Sequence, residues 1–352
     1  MNTQMDLNIS PRQSIVEPLF TWLKTTAGMA VIGCIAIAVF AAVDKGSYIF
    51  VNAIVTGGMW ALVAMGLALV FGVMNIVSFV HGEFFMIGAM SAYFVFTPLN
   101  NYFLDHPSAI MAAITPLIAM LAAAVVGILV GILSELLVFR PLRRRTKEQW
   151  IMNSFVLTVG MSVLIVNGVQ LIFGTDFRGI VSYWPYSPVV VLDVYISFDR
   201  FIAFVIALLI IIGFFVFMKY SKIGRAIRAV SQDETGSLMV GIDLNRIQTL
   251  TLALSCALAA LAGACLLFMY PAYPTVGLGP LFNSWFIVIL AGMGNVAGAA
   301  VGAFIVALLQ VLTTVYVGEG WEYTLPSVFI IAVLIFKPSG IFGGEVRGIL
   351  NQ

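Results

Sequence analysis

Residues 49–74 read IFVNAIVTGGMWALVAMGLALVFGVM, twenty-six positions without one Asp, Glu, Lys, Arg or His. A helix needs about 20 such residues to cross the ~30 Å hydrocarbon core of a bilayer. A soluble helix of this length keeps a polar face, and this run has none. Gly57, Gly58, Gly66 and Gly72 fall within it and let neighbouring helices approach closely. The run ends in Asn75-Ile76-Val77-Ser78-Phe79-Val80-His81-Gly82-Glu83, where polar and ionisable groups enter an apolar setting.

The same pattern continues on both sides. Apolar segments fall at 27–43, 49–74, 76–96, 109–139, 151–173, 201–218, 249–270, 284–293, 297–317 and 323–336. The fold expected is an all-α polytopic transmembrane bundle of about ten segments, some of them discontinuous. The 284–293 piece reads as a half-helix. The 109–139 run is overlong, and Pro116 is expected to separate an interfacial start from the span. A cleaved signal peptide is the alternative reading of segment 27–43. Twenty-six residues precede that run without a clearly basic start, which favours a membrane segment.

Composition agrees. Of 352 residues, 61% are hydrophobic and 9% are charged, against roughly 25% charged in a soluble protein. This excludes a disordered chain, a secreted disulfide scaffold and a nucleic-acid binder. Net charge is +1, so its distribution carries the information. If all ten segments cross, fourteen Lys and Arg lie on one side and three (Lys45, Arg178, Arg200) on the other. The positive-inside rule then puts both termini in the cytoplasm. The loop at 174–200 carries Trp184, Pro185, Tyr186 and Pro188 and reads as an interfacial hairpin or short helix.

Catalytic chemistry has little to stand on. Cys34, Cys256 and Cys265 have no metal-like spacing, there are two histidines, and no Gly-Lys-Ser/Thr loop is present. No catalytic residue, metal site or cofactor is expected on this chain, and any ATP hydrolysis belongs to another polypeptide.

Three regions carry candidate function. Intramembrane polar groups are the first suspects, so Asn75, Ser78, His81 and Glu83 are candidates for the lining of a path or gate. Their structural alternative is a helix start with Ser78 as N-cap and Glu83 in its first turn. Gly292-Met293-Gly294-Asn295 breaks a later apolar run much as Gly72-Val73-Met74-Asn75 breaks the first. Such paired breaks mark discontinuous helices near a transport path, which adds Gly292 and Asn295. The third region is the basic loop 219–248. Ser231 and Glu234 have capping-box spacing, Leu238, Met239 and Ile242 form a small apolar face, and Gly241 is a plausible stop. A first basic helix with Arg225 and Arg228 thus leads to a second short amphipathic one. A basic loop held by anionic lipid is one reading. A docking helix for a cytoplasmic partner is the other. Elsewhere Glu135 reads as interfacial charge balance, and Asn167 with Gln170 as a bridge between helices or part of a pore.

The order of these passages carries a resemblance over about 47–343. It runs from Trp60–Leu67 through Phe71–Asn75 and Phe79–Glu83. Gly224–Val230, Gln232-Asp233 and Gly241-Ile242 follow. Leu290–Asn295 with Gly298, and Phe336–Gly343, complete it. The chain resembles the inner-membrane permease subunits of branched-chain amino acid ABC importers, in particular the smaller permease type that carries the His-Gly-Glu passage. The resemblance implies a bacterial inner-membrane location and a second, homologous permease. It also implies two cytoplasmic ATPase subunits and an extracytoplasmic substrate-binding protein. It makes 219–248 the ATPase-docking loop, with the importer docking signature standing here as Glu234-Thr235-Gly236 and Gly241. Residues 1–46 read as an N-terminal extension with the first segment, 47–343 as the permease domain, and 344–352 as a cytoplasmic tail. Related permeases serve urea or short amides, so that cargo stays open. A proton-coupled secondary transporter using His81 and Glu83 is the competing class. A membrane enzyme lacks the constellation it needs.

Overall fold

The computed structural model describes residues 28, 33, 36–37, 39–41, 44, 46–105, 109–145, 149–180, 183 and 187–343. The N-terminal extension, most of segment 27–43 with Cys34, Trp184, Pro185, Tyr186 and the 344–352 tail lie outside the described residues.

Helix α1 spans Tyr48–Met74 and α2 His81–Asp105. Helix α3 spans Ala109–Ser134 and runs through a π-turn, Glu135–Phe139, into α4, Arg140–Arg145. Helix α5 is Trp150–Phe173. A two-stranded hairpin follows, β1 Val189–Val191 against β2 Val194–Ile196, antiparallel with Val189 opposite Ile196. Its turn, Leu192-Asp193, has φ of 51° and 63°, the sense that matches the twist of a hairpin. Helix α6 is Phe198–Tyr220, α7 Lys222–Gln232, α8 Glu234–Met239 and α9 Leu244–Leu266. Helix α10 is Leu278–Ala291, α11 Val296–Tyr316 and α12 Thr324–Phe336, the last preceded by a 3₁₀ turn at Glu319–Trp321. Eight helices among the described residues are long and apolar enough to cross a membrane. The 14-residue α10 is a shorter apolar helix beside them. The protein is therefore a polytopic helical membrane protein.

Helices α1 and α9 form the centre. Helix α1 packs against α11, α9, α10 and α6, and α9 packs against α2 and α3. Small residues decide this arrangement. A Cβ on Gly88 of α2 would collide with the backbone of Ala260 in α9. A Cβ on Gly131 of α3 would lie 2.8 Å from Ala253 Cα. Between lipid-solvated helices such backbone contact replaces the hydrophobic drive of water.

Helix α5 sits at the periphery, and its only buried residues are Ser154 and Thr158. Its apolar side chains face outward, as lipid allows. Asn167 is exposed, and its Nδ2 donates to Val163 O on the same helix at 2.7 Å. The expected Asn167–Gln170 bridge between helices is therefore absent among the described residues.

Three local expectations change. Pro116 lies inside α3 without ending it. The irregular turn sits at the other end, where buried Glu135 pairs with Arg143 two turns on along its own chain. Ser78 does not cap α2: the helix starts three residues later, at His81. Ser231 does not cap α8 either. It lies within α7, and its Oγ donates to Arg228 O. Asp233 takes the cap, accepting from Gly236 N–H at 2.9 Å. A carboxylate caps as well as a hydroxyl, and Asp233 stands immediately before Glu234.

Candidate functional site

One end of the bundle gathers the 75–80 and 292–295 breaks. Met74 ends α1, and Asn75 follows in the left-handed region at φ 50° and is exposed. The 75–80 connection is held by α5. Trp150 Nε1 donates to Met74 O at 3.1 Å. Thr158 Oγ1 accepts from Phe79 N–H at 3.2 Å, and its single proton is shared between Phe155 O at 2.9 Å and Val77 O at 3.2 Å. Ser162 Oγ donates to Glu83 Oε1 at 2.6 Å. So the polar residues of a lipid-facing helix satisfy the backbone of an unwound connection, which is what buried irregular backbone in a membrane requires. Phe79 packs on Trp285 of α10, with ring centroids 5.6 Å apart, and edge-on to Phe155.

His81 is fully buried at the crossing of α1, α2 and α9. Its Nε2 lies 3.0 Å from Val63 O. A carbonyl only accepts, so Nε2 carries a proton, and Nδ1 is buried without a partner. Nearby, Ser255 Oγ donates to Gly66 O at 2.8 Å. His81 and Glu83 thus face different helices, His81 toward α1 and Glu83 toward α5. They do not form a pair. Ser78 is buried in the connection.

The second break meets the first. Gly294 lies so close to Gly72 that a Cβ on it would be 2.9 Å from Gly72 Cα. Asn295 caps α11, its Oδ1 accepting from Gly298 N–H at 2.8 Å while its Nδ2 donates to Phe342 O at 2.8 Å. Gly292, at φ 97°, turns the chain out of α10. The stretch after α12 then pairs back onto it, Ile341 N–H donating to Leu290 O at 2.7 Å. Gly292 and Asn295 join α10, α11 and the 337–343 return into one junction packed on the end of α1.

The α7–α8 unit stands at this same end. Ile227 and Val230 are buried, and α7 touches α1, α6 and α9. Arg225 Nη1 donates to Tyr220 O at 2.9 Å, and Arg228 Nη2 reaches Lys219 O at 3.5 Å. Both cations therefore cover the last carbonyls of α6, where the helix dipole favours them. Ser231 and Glu234 are exposed, and Gly236 is the residue that donates to the Asp233 cap. Helix α8 ends at Met239, and Gly241, at φ 83°, turns the chain just beyond it, with Ile242 N–H donating to Ser237 O. Its tip leaves Leu238, Met239 and Val240 54%, 83% and 76% exposed.

The opposite end holds a feature that segment reading did not find. A cavity of about 890 Å³ opens there. Its walls are the first turns of α1, the start of α6, the 270–280 connection, the last turns of α11 and the 3₁₀ turn. None of Asn75, Ser78, His81, Glu83, Gly292 or Asn295 lines it. It reaches Trp60 halfway along α1 and Gln310 on α11. Beyond Trp60, residues 61–70 of α1 are all buried, so packed side chains close the cavity toward the α7–α8 end. At its base Gln310 Nε2 donates to Asn283 Oδ1 at 2.5 Å. Asn52 on α1 and Gln310 on α11 are the amides that reach its wall. Among the described residues no three His, Cys, Asp or Glu side chains gather as a metal set.

Comparison with known proteins agrees with this architecture. The family described as the permease component of the branched-chain amino acid transport system matches residues 49–336. The high-affinity branched-chain amino acid transport system permease protein BraD of Pseudomonas aeruginosa is 28% identical over 298 residues, 83% of this chain and 94% of that protein. LivH of Escherichia coli, named for the same system, is 26% identical with the same coverage. The probable LivH of the archaeon Methanocaldococcus jannaschii is 25% identical over 307 residues, 83% of this chain and 91% of that protein. No solved structure matches. With the family match running from the second residue of α1 to the last of α12, the chain belongs to the permease component family of branched-chain amino acid transport systems.

Proposed function

We propose that this chain is one transmembrane permease subunit of an ATP-driven importer. It forms half of a translocation path for branched-chain or other hydrophobic amino acids and works by alternating access. The relatives' names support the cargo class. The observation that carries the mechanism is the tip of α8. Three apolar side chains, Leu238, Met239 and Val240, stand exposed at the end of α8, which follows directly on α7, itself anchored through Ile227 and Val230. A capped helix with an exposed apolar tip fits a groove on a partner better than a headgroup layer. The partners inferred are a second homologous permease, two ATPase subunits bound at the α8 end, and an extracytoplasmic binding protein at the cavity end. The α8 end is cytoplasmic on this reading, the membrane is the bacterial inner membrane, and 47–343 is the permease domain. ATP hydrolysis takes place on the ATPase subunits, not on this chain. Closure of the ATPase dimer moves α8. The α7 helix then transmits that movement to α1, α6 and α9, with which it is packed.

Met239→Asp tests this. Met239 is 83% exposed, so the fold is expected to be unchanged. Recovery of the ATPase subunits with the purified chain should be lost, and uptake with it. Gly236→Arg is a poorer probe because it would displace the Asp233 cap as well. Full uptake by the Met239→Asp protein would overturn the docking assignment.

A further inference from the structure

We propose that the cavity opposite the docking helices is a binding site for a free amino acid zwitterion. Arg200 receives the carboxylate, Glu322 receives the ammonium, and the wall around Met59 receives an apolar side chain. This rests on the importer reading and adds a site to it.

The observations are those of unanswered polar groups around one space. Arg200 stands in the first turn of α6, with Nη2 3.4 Å from Thr56 Oγ1. Its Nε is buried without a hydrogen-bond partner, and among the described residues it forms no ion pair. Glu322 is half-buried after the 3₁₀ turn, lines the same cavity and likewise forms no ion pair there. Two charges of opposite sign thus face one cavity without meeting. Deeper in, Trp60 Nε1 and Gln310 Oε1 are buried with no partner, and Gln310 is only 3% exposed. Asn283 and Gln310 share a single bond, so each amide keeps a polar atom unanswered whichever way the two are turned. Buried polar groups left unpaired are costly, and a ligand that satisfies them recovers that cost. Met59, Leu266, Val276 and Val311 complete the wall with apolar surface.

Charge selects the ligand class. A lone anion would meet Glu322, and Glu319 beside it. A lone cation would meet Arg200. A molecule bearing both signs answers both, and the apolar wall suits an uncharged tail.

The test uses the full chain in its native assembly, held in lipid nanodiscs and freed of any soluble binding protein. Saturation-transfer NMR is read with L-leucine, with L-leucinamide (no carboxylate) and with 4-methylpentanoate (no ammonium). L-leucine is expected to bind about tenfold or more tightly than either analogue, as for one lost charge-assisted hydrogen bond. Arg200→Gln should lower leucine binding to the level of leucinamide and leave leucinamide unchanged. Glu322→Gln should do the same relative to 4-methylpentanoate. The wild-type comparison needs no substitution, so a misfolded variant does not shield the proposal. Equal binding of leucine and both analogues to the wild type overturns the site. If ATP-driven leucine uptake by the complete importer persists in that case, the importer reading stands without it. If the complete importer takes up no leucine, the cargo reading and the site fall together.

Discussion

His81 donates its Nε2 proton to a carbonyl on the neighbouring helix and touches no other ionisable group, which makes it a joint between helices. His81→Leu removes that bond and is expected to lower thermal stability in detergent by about 1 kcal/mol. His81→Gln, whose amide can donate at the same place, should recover part of the loss. Transport by either variant should track stability and show no new pH dependence; a shift of the pH profile would return His81 to a proton-handling role. Thr158→Val removes the acceptor for Phe79 N–H and the proton that Val77 O shares with Phe155 O. Amide exchange of residues 77–80 should rise at least several-fold while that of the α9 core stays unchanged. Residue identity was legible in the sequence at this scale, but partnership was not. His81 and Glu83 stand two apart in the chain and invite a paired reading, yet two residues along a helix are about 200° apart around it and face different neighbours. The Ser231 cap failed for a related reason, since Asp233 competes for the same role and lies closer to the helix.

Breaks and glycines decide the elements. Gly88 and Gly131 bring α2 and α3 into backbone contact with α9, so Gly88→Val should abolish assembly of a monodisperse protein. Gly160→Ala on α5, where an added Cβ meets nothing within 4 Å, should leave the fold and its melting temperature unchanged. Size-exclusion profiles of the two variants provide the comparison. Asn295→Ala loses the α11 cap and the tie to Phe342 together, and is expected to cost about 1–2 kcal/mol. Most of these elements were legible. Long runs without charge announce themselves, and the Gly-Met-Gly-Asn interruption marks the α10–α11 junction. Pro116 misled because a proline inside a membrane helix is tolerated when neighbours satisfy the freed carbonyl. The irregular turn instead formed where Glu135 needed to meet Arg143.

Across the whole molecule, a packed junction and the α7–α8 unit stand at one end and a polar-lined cavity at the other, with the buried half of α1 between them. The cavity was not legible in advance. Its charged and polar groups come from α1, α6, α11 and the 3₁₀ turn, and no local pattern ties Trp60 to Arg200 or Gln310. Only the fold brings them together. On the proposed reading the energy enters at the α8 end and the solute at the cavity end, and the chain couples them. Uptake of labelled leucine into vesicles carrying the complete assembly tests this most directly, with ATP supplied on the α8 side or with a proton gradient alone. Uptake that requires ATP and ignores the gradient is the expected result. Uptake driven by the gradient without ATP would contradict the central claim and make this chain a transporter in its own right.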